Sequence, residues 1–312
     1  MTRQTEFATI APATNKRIFK MKQVLEWKIH LGAHKTGTTH AQDLLALNRG
    51  ALADQGLDFL PRDPFRDHRV NRRIINGYRR CAFFRSKRPS LQDLVKPLRL
   101  GPERVLISEE SIIGSPPDLL LPSFYPRLEE RLNAWAKAAA DEKVTTYLSI
   151  RDPGQILVSA YCHAVRYSKI TSDFDAYCDQ QANDMPSWLP LIQRIKSVLP
   201  DWPLRVWRFE DYIGRPFDLL RTITGCAIED GNIDIPPSTR SPSVNTLARL
   251  RRLNRYGLPS VLRKPLATRM VADDTFESKF APLSRERKLA YAEQYTRDVA
   301  KIRETYPGML IE

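Results

Sequence analysis

The 312-residue sequence predicts an α/β fold: a parallel sheet flanked by helices, with a mainly helical C-terminal part. Three observations carry that prediction. Short β-branched or apolar runs alternate with helix-length segments, the pattern of parallel strands joined by crossover helices. One run, "YLSI", is apolar enough for a central strand buried on both faces. After Pro236 the strand signal stops and helical periodicity takes over.

Residues 1–25 read as a flexible tail. Its start, "MTRQTEFATIAPATNKRIFK", lacks the apolar centre of a signal peptide, which argues against export. The first strand is "EWKIHLG" (26–32), followed by a helix-length segment over 37–55 and a weaker strand, "LDFLP" (57–61). Next come "RVLISE" (104–109), a helix over 124–140, "TTYLSIRD" (145–152), a helix over 153–167 and "LRVWRFE" (204–210). Helices are expected at 243–255 and 284–305. No repeat and no low-complexity linker divides the chain, so 26–312 is expected to form a single domain. No apolar stretch approaches the roughly 20 residues that cross a bilayer.

The net charge of +13 and the pI near 9.7 point to an anionic ligand, polymer or surface. The charge is localised. Residues 61–104 hold thirteen Lys/Arg against four Asp/Glu, and 235–272 hold eight Lys/Arg with no acid. Cys81, Cys162, Cys178 and Cys226 form no C-x-x-C pair and no metal spacing, which fits ordinary thiols in a reducing, cytoplasmic setting. Five scattered histidines make no metal site.

The chemistry concentrates in "IHLGAHKTGTTH", where a strand runs into Gly32 and a helix starts after Gly37. This is a P-loop-like turn with its lysine displaced. In G-x-x-x-x-G-K-[ST] the lysine follows the second glycine, whereas Lys35 precedes Gly37. Glycine permits the turn and the close approach of an anion, and the helix start near Thr38 adds unpaired N–H groups and a positive dipole end. Thr38 and Thr39 supply hydroxyl donors. A lysine inside the loop suits the outer end of a short anhydride, while a triphosphate cradle uses a lysine that opens the helix.

A second stretch, "SIRDPGQILVSAY", follows the 145–150 strand. Asp152 and Pro153 signal a helix start, as N-cap and first helical residue. Arg151 therefore stands at the carboxyl end of a parallel strand, where open α/β sheets bind ligands. Ser159 follows two turns into the helix, and an arginine fork plus a hydroxyl clamps a phosphate. Two anion sites at neighbouring strand ends suit a nucleotide phosphorylated at both its 5′ and 3′ positions.

The pairing of "GAHKTGTTHAQ" with "RDPGQILVSAY" resembles the sulfotransferases that use 3′-phosphoadenosine 5′-phosphosulfate (PAPS), in particular their bacterial branch with an H-K-T-G-T-T loop. The resemblance implies that Lys35, Thr36, Gly37, Thr38 and Thr39 bind the 5′-phosphosulfate side, while His34, a position the bacterial branch commonly fills with histidine, makes a nucleotide or structural contact. Arg151 and Ser159 then bind the 3′-phosphate. "WRFEDYI" is similar to the family's late "YEDL" element, with Phe209 replacing a tyrosine. "RSPSVNTLARLRRLN" looks like the segment that closes over the nucleotide but lacks its leading asparagine.

Lys35 is the expected catalytic cation, and "VLISEESIIG" supplies a base for the acceptor hydroxyl. Alignment with the family's "SSE" pattern places Glu110 in the acidic position. Glu109 competes, because adjacent strand side chains point to opposite faces. His40 is expected to pack, and His30, His68 and His163 carry no assigned role. The arginines of 61–104 favour an anionic hydroxyl acceptor such as a glycan or glycolipid, with a solvated basic face or mobile loop as the alternative; Tyr78, Phe83 and Phe84 are available either to stack on sugars or to pack in the core. Two further readings stay open: a P-loop kinase or NTPase, and a non-enzymatic polyanion binder, which accounts for the charge but not for the loop.

Overall fold

In the computed structural model, residues 24–84, 89–120, 124–181, 187–231, 241–275 and 277–312 are described. Residues 1–23, Pro236 and the side chains of Cys81, Phe83 and Phe84 lie outside them. Five strands form one fully parallel sheet: β1 Glu26–His30, β2 Leu57–Leu60, β3 Arg104–Ser108, β4 Lys143–Ile150 and β5 Leu204–Arg208. Their order is β2-β3-β1-β4-β5, so β1 is central, with Ile29 opposite Ile107 on one side and Thr146 on the other. All five are the runs read from sequence.

The chain reverses across β1, passing to β3 on one side and β4 on the other. The ends of β1, β3 and β4 therefore open onto one crevice, the ligand position of open α/β sheets. Helices α1 Thr38–Leu47, α2 Arg49–Asp54, α3 Arg62–Asp67, α4 Val70–Phe84 and α5 Leu91–Val95 precede β3. Then come α6 Leu128–Ala138, α7 Pro153–Tyr167, α8 Phe174–Gln181, α9 Trp188–Val198, α10 Phe209–Gly214 and α11 Pro216–Thr224. The C-terminal part is helical, as expected, with α12 Val244–Arg255, α13 Ser260–Ala272 and α14 Arg285–Thr305.

Strand alternation divides the core between the two sheet faces. Trp27, Ile29, Val105, Ile107, Val144 and Leu148 belong to one apolar layer. Phe59, Leu106, Tyr147 and Trp207 belong to the other. A third cluster joins α7 and α8 to the C-terminal helices through Leu157, Tyr161, Val165, Leu250 and Val271.

Three local differences from the sequence reading have clear causes. Leu25, assigned to the tail, is fully buried and its N–H donates to Glu142 (2.8 Å), so packing begins one residue ahead of β1. The 37–55 helix is interrupted at Asn48, whose side chain donates to the Leu44 carbonyl (2.9 Å). The arginine-rich stretch contains α3, α4 and α5; Val70, Ile74 and Ile75 put one side of α4 into the core. Composition hid that spacing, because the arginines between these residues lower the average hydropathy. At the chain's end, Val206 donates to the Met309 carbonyl and accepts from Ile311, both at 2.8 Å, a short parallel pairing beside β5.

Candidate active site

The loop between β1 and α1 turns through three left-handed residues: Gly32 (φ 83°), Lys35 (φ 68°) and Gly37 (φ 81°). Gly32 is needed for space as well as for its torsion. A Cβ there would lie 2.7 Å from the Cβ of Glu110, so the glycine lets the turn after β3 close onto the loop. At Gly37 a Cβ would meet the Phe209 ring at 2.9 Å. Lys35 holds a conformation costing a non-glycine residue roughly 1–2 kcal/mol, compensated by the packing of the loop around it.

Beneath the loop runs a hydrogen-bonded column across three strands. Thr36 Oγ1 donates to the Ala33 carbonyl (2.6 Å) and lies 2.5 Å from Ser149 Oγ. Ser149 Oγ is 3.3 Å from His30 Nε2, and His30 Nδ1 is 2.8 Å from Ser108 Oγ. Because the carbonyl can only accept, the direction of the whole column follows. Ser149 donates to Thr36, His30 Nε2–H donates to Ser149, and Ser108 donates to Nδ1. That requires a neutral His30, and burial pulls its pKa down to about 3. The Thr36 side chain therefore braces the loop from below and lies away from the cleft.

Above the loop is a cleft of about 660 Å³. Of the sequence-derived site residues, His34, Lys35, Gly37, Thr38, Thr39, Glu110, Arg151 and Ser159 all line it; Thr36 does not. His34 is clamped by Tyr125, whose hydroxyl accepts the His34 backbone N–H and donates to Nδ1, both at 3.0 Å. Burial, with Lys35 second, lowers the His34 pKa to about 3, so its imidazole is neutral.

Lys35 Nζ sits 2.9 Å from Nδ1 of His163 on α7. Burial lowers its pKa to about 8, against the opposing pull of Glu110. His163 is lowered to about 4, first by burial and then by Lys35, so the ammonium donates to a neutral imidazole. The charge thus stands ready at low solvation, where an incoming anion gains most.

The two candidate bases occupy different surroundings. Glu109 is 1% exposed and gripped bidentately by Arg66 (2.7 and 2.9 Å), while also accepting the Ser111 N–H (2.9 Å). Glu110 is 20% exposed, opens a 3₁₀ turn (Glu110–Ile112) and faces the cleft, with Arg66 3.9 Å away. Burial raises its pKa and Glu109 adds to that, opposed by Arg66, Lys35 and a hydrogen bond from Thr38. A carboxyl shifted upward is a better proton acceptor than a free one.

Arg151 follows β4. The next residue caps α7, with Asp152 Oδ1 accepting the Gln155 N–H (2.9 Å) and Pro153 at the first helical position. Its guanidinium lies over the Phe209 ring at 4.1 Å, and Nη1 donates to the Lys35 carbonyl (2.9 Å). Its Nε is buried and has no hydrogen-bond partner among the described residues. The loop and the Arg151 grip are thus physically joined. Glu210 accepts the Asp152 N–H (3.0 Å) and the Tyr295 hydroxyl (2.9 Å), tying the α10 turn to α7 and α14.

Sequence reasoning missed several members of this site. Arg66 and Tyr125 act through long-range contacts that no local pattern announces. His163 had a usable signal, since it lies four residues after Ser159 and so on the same side of α7. Tyr78 packs at the edge of the core with Lys137 4.9 Å from its ring, away from the cleft lining. His40 does line the cleft, held by Tyr212 at 2.7 Å. Among the described residues no cluster of His, Cys, Asp and Glu could hold a metal.

No protein-family model and no curated protein matches this chain. Among solved structures it is similar to a sulfotransferase from Alicyclobacillus acidocaldarius, with a TM-score of 0.41 and 16% identity over 81% of this chain and 96% of that one. It is also similar to a retinol dehydratase in complex with androsterone and inactive cofactor PAP, with a TM-score of 0.35 and 14% identity over 91% of this chain and 83% of the other.

Proposed function

We propose that this protein is a PAPS-dependent sulfotransferase acting on a hydroxyl acceptor, with Lys35 and Glu110 at the reacting centre. The observation that carries the reading is that Lys35, Arg151, Ser159 and Glu110 line one cleft at the ends of adjacent parallel strands. The nucleotide fits the residues present. The buried Nε of Arg151 has no acceptor among the described residues, and an anion would satisfy it. Lys35 with the loop N–H groups would hold the 5′ end, and Arg151 with Ser159 the 3′-phosphate.

The reaction is a transfer between two oxygens. The acceptor oxygen forms a bond to sulfur as the bond from sulfur to the 5′-phosphate oxygen breaks, and the acceptor proton passes to the Glu110 carboxylate. Lys35 meets the negative charge that develops on the departing phosphate, a preorganised donor in a site of low solvation. The neutral His163 holds the lysine in place beforehand. Arg166 lines the cleft and the arginine-rich 61–104 stretch precedes the Glu110 strand, in keeping with an anionic acceptor such as a glycan or glycolipid. Residues 26–312 are proposed to act as one domain.

A thermal-shift comparison tests this against a kinase reading. Adenosine 3′,5′-bisphosphate is expected to stabilise the protein far more than ADP or ATP with magnesium. Equal stabilisation by ATP with magnesium supports the kinase, and stabilisation by polyanions alone at low salt supports the polyanion binder. Labelled PAPS offered to glycans, lipids and phenols, with products read by mass, then identifies the acceptor.

A further inference from the structure

The hairpin of α12 and α13 carries a surface that the cleft chemistry does not use. From residue 241 to 272 the chain has seven Lys/Arg and no Asp or Glu. Helix α13 buries Arg263, Ala267 and Val271, a spacing of four that sets one side of the helix inward. Its outward side leaves Val261 81% exposed, Leu262 58% and Leu266 43%, and Tyr256 at the end of α12 is 66% exposed. At 100° per residue, Val261, Pro265, Leu262 and Leu266 cover about 140° of arc. Arg252 and Arg255 on α12 and Lys264 and Arg269 on α13 are exposed, Arg269 one turn beyond the strip within the same arc and with Asp273 3.7 Å away.

We propose that this face docks on an anionic lipid bilayer, with the aliphatic side chains entering the acyl boundary and the cations resting on the headgroups. Cations alone would suit any polyanion; the exposed aliphatics distinguish a lipid surface, because a soluble polyanion offers them nothing. The strip offers aliphatic insertion and the nearby Lys and Arg offer attraction to anionic headgroups, while the other side of α13 stays in the core. No described helix is long and apolar enough to cross a membrane, so the association is with the surface.

The hairpin is rigidly tied to the cleft. Arg263 is 2% exposed and donates to Asn254 Oδ1 (2.7 Å), the Arg166 carbonyl (2.8 Å) and the Val165 carbonyl (2.8 Å), capping the end of α7. Lys169 adds a bond to the Leu258 carbonyl (3.1 Å). Arg166 and Tyr167, at that same end of α7, line the cleft. A chain docked through this face carries the cleft with it, so a lipid-borne hydroxyl becomes one acceptor class to offer; this last consequence, unlike the docking, rests on the proposed transfer reaction.

The test is flotation of the full chain with phosphatidylcholine vesicles, with and without about one third phosphatidylglycerol. The protein is expected to float with the anionic vesicles only and to be released by salt. Val261→Ser/Leu262→Ser/Leu266→Ser and, separately, Arg252→Gln/Arg255→Gln/Lys264→Gln are each expected to weaken binding about tenfold or more. Both should keep the wild-type melting temperature, since all six side chains are exposed, and Leu262→Glu alone repeats the first with a single change. Failure of the wild type to float overturns the proposal. So does wild-type binding by the serine variant alongside retention on heparin, which marks a polyanion surface. A dimer that the serine variant dissociates, without vesicle binding, assigns the face to a second copy and likewise overturns it. None of these readouts depends on nucleotide or turnover.

Discussion

Raising the pH should loosen the nucleotide through one side chain. Burial holds the Lys35 pKa near 8, so at about pH 7 roughly nine in ten molecules carry the charge that meets the 5′ end, and at about pH 9 roughly one in ten. An anion binds the charged form, so affinity for adenosine 3′,5′-bisphosphate should be flat from about pH 7 to 8. Above that it should fall about tenfold per unit, about 1.4 kcal/mol, until the raised pKa of the complex is reached. The sign follows from linkage: binding favours the protonated lysine, and its advantage is lost as pH climbs through the free-site value. In the nucleotide-free fold the same depression is a cost, present below about 8 and relieved towards the ordinary 10.5. Calorimetry in two buffers of different ionisation enthalpy reads both effects, and near pH 8 binding should take up about half a proton. Lys35→Arg should remove the slope, and Lys35→Ala should cut turnover roughly 10²–10³-fold. Constant wild-type affinity across this range, with no proton uptake, would refute the placement of Lys35 against the anion.

Glu109→Gln should lower the melting temperature, because it leaves the Arg66 fork without its buried carboxylate; about 1–3 kcal/mol is expected, discounted for the half-exposed arginine. Glu110→Gln should keep stability and nucleotide affinity and lose turnover, and a mutant retaining more than about a tenth of wild-type rate would remove Glu110 as the base. Gly32→Ala introduces a side chain at φ 83° and 2.7 Å from Glu110, so stability should fall by roughly 1–2 kcal/mol and turnover should drop more than affinity as the two turns separate. Arg151→Lys removes the planar fork over Phe209 and should weaken adenosine 3′,5′-bisphosphate about 10–100-fold and adenosine 5′-phosphate by less, the smaller loss coming through the bond to the Lys35 carbonyl, a contrast measurable by titration.

Much of the fold was legible locally. A strand such as "YLSI", a cap such as Asp152-Pro153 and a turn such as Gly32 to Gly37 are written in adjacent residues, since each obeys torsion and hydrogen-bonding rules acting over a few positions. Position in the sheet is different in kind. That β1 lies between β3 and β4 depends on which apolar faces stack best, and no single segment states it. The family pattern pointed to Glu110 over Glu109, but the different surroundings of the two were out of local reach. Both follow one strand, and their settings differ because of Arg66, more than forty positions earlier, and a glycine that lets the second carboxylate's turn approach the loop.

By itself, then, the order of residues determined the strands, the glycine-bracketed loop with its displaced lysine, the arginine at the end of β4 and the helical ending, because those features need only neighbours along the chain. Tertiary structure alone decided the partners: His163 against Lys35 across 128 positions, Phe209 under Arg151, Tyr125 on His34. Such contacts arise where separate elements share a core, and burial there sets the charge state of each group. The protonation chemistry of the cleft is therefore a property of the packing, and the donors that the packing arranges are a property of the sequence.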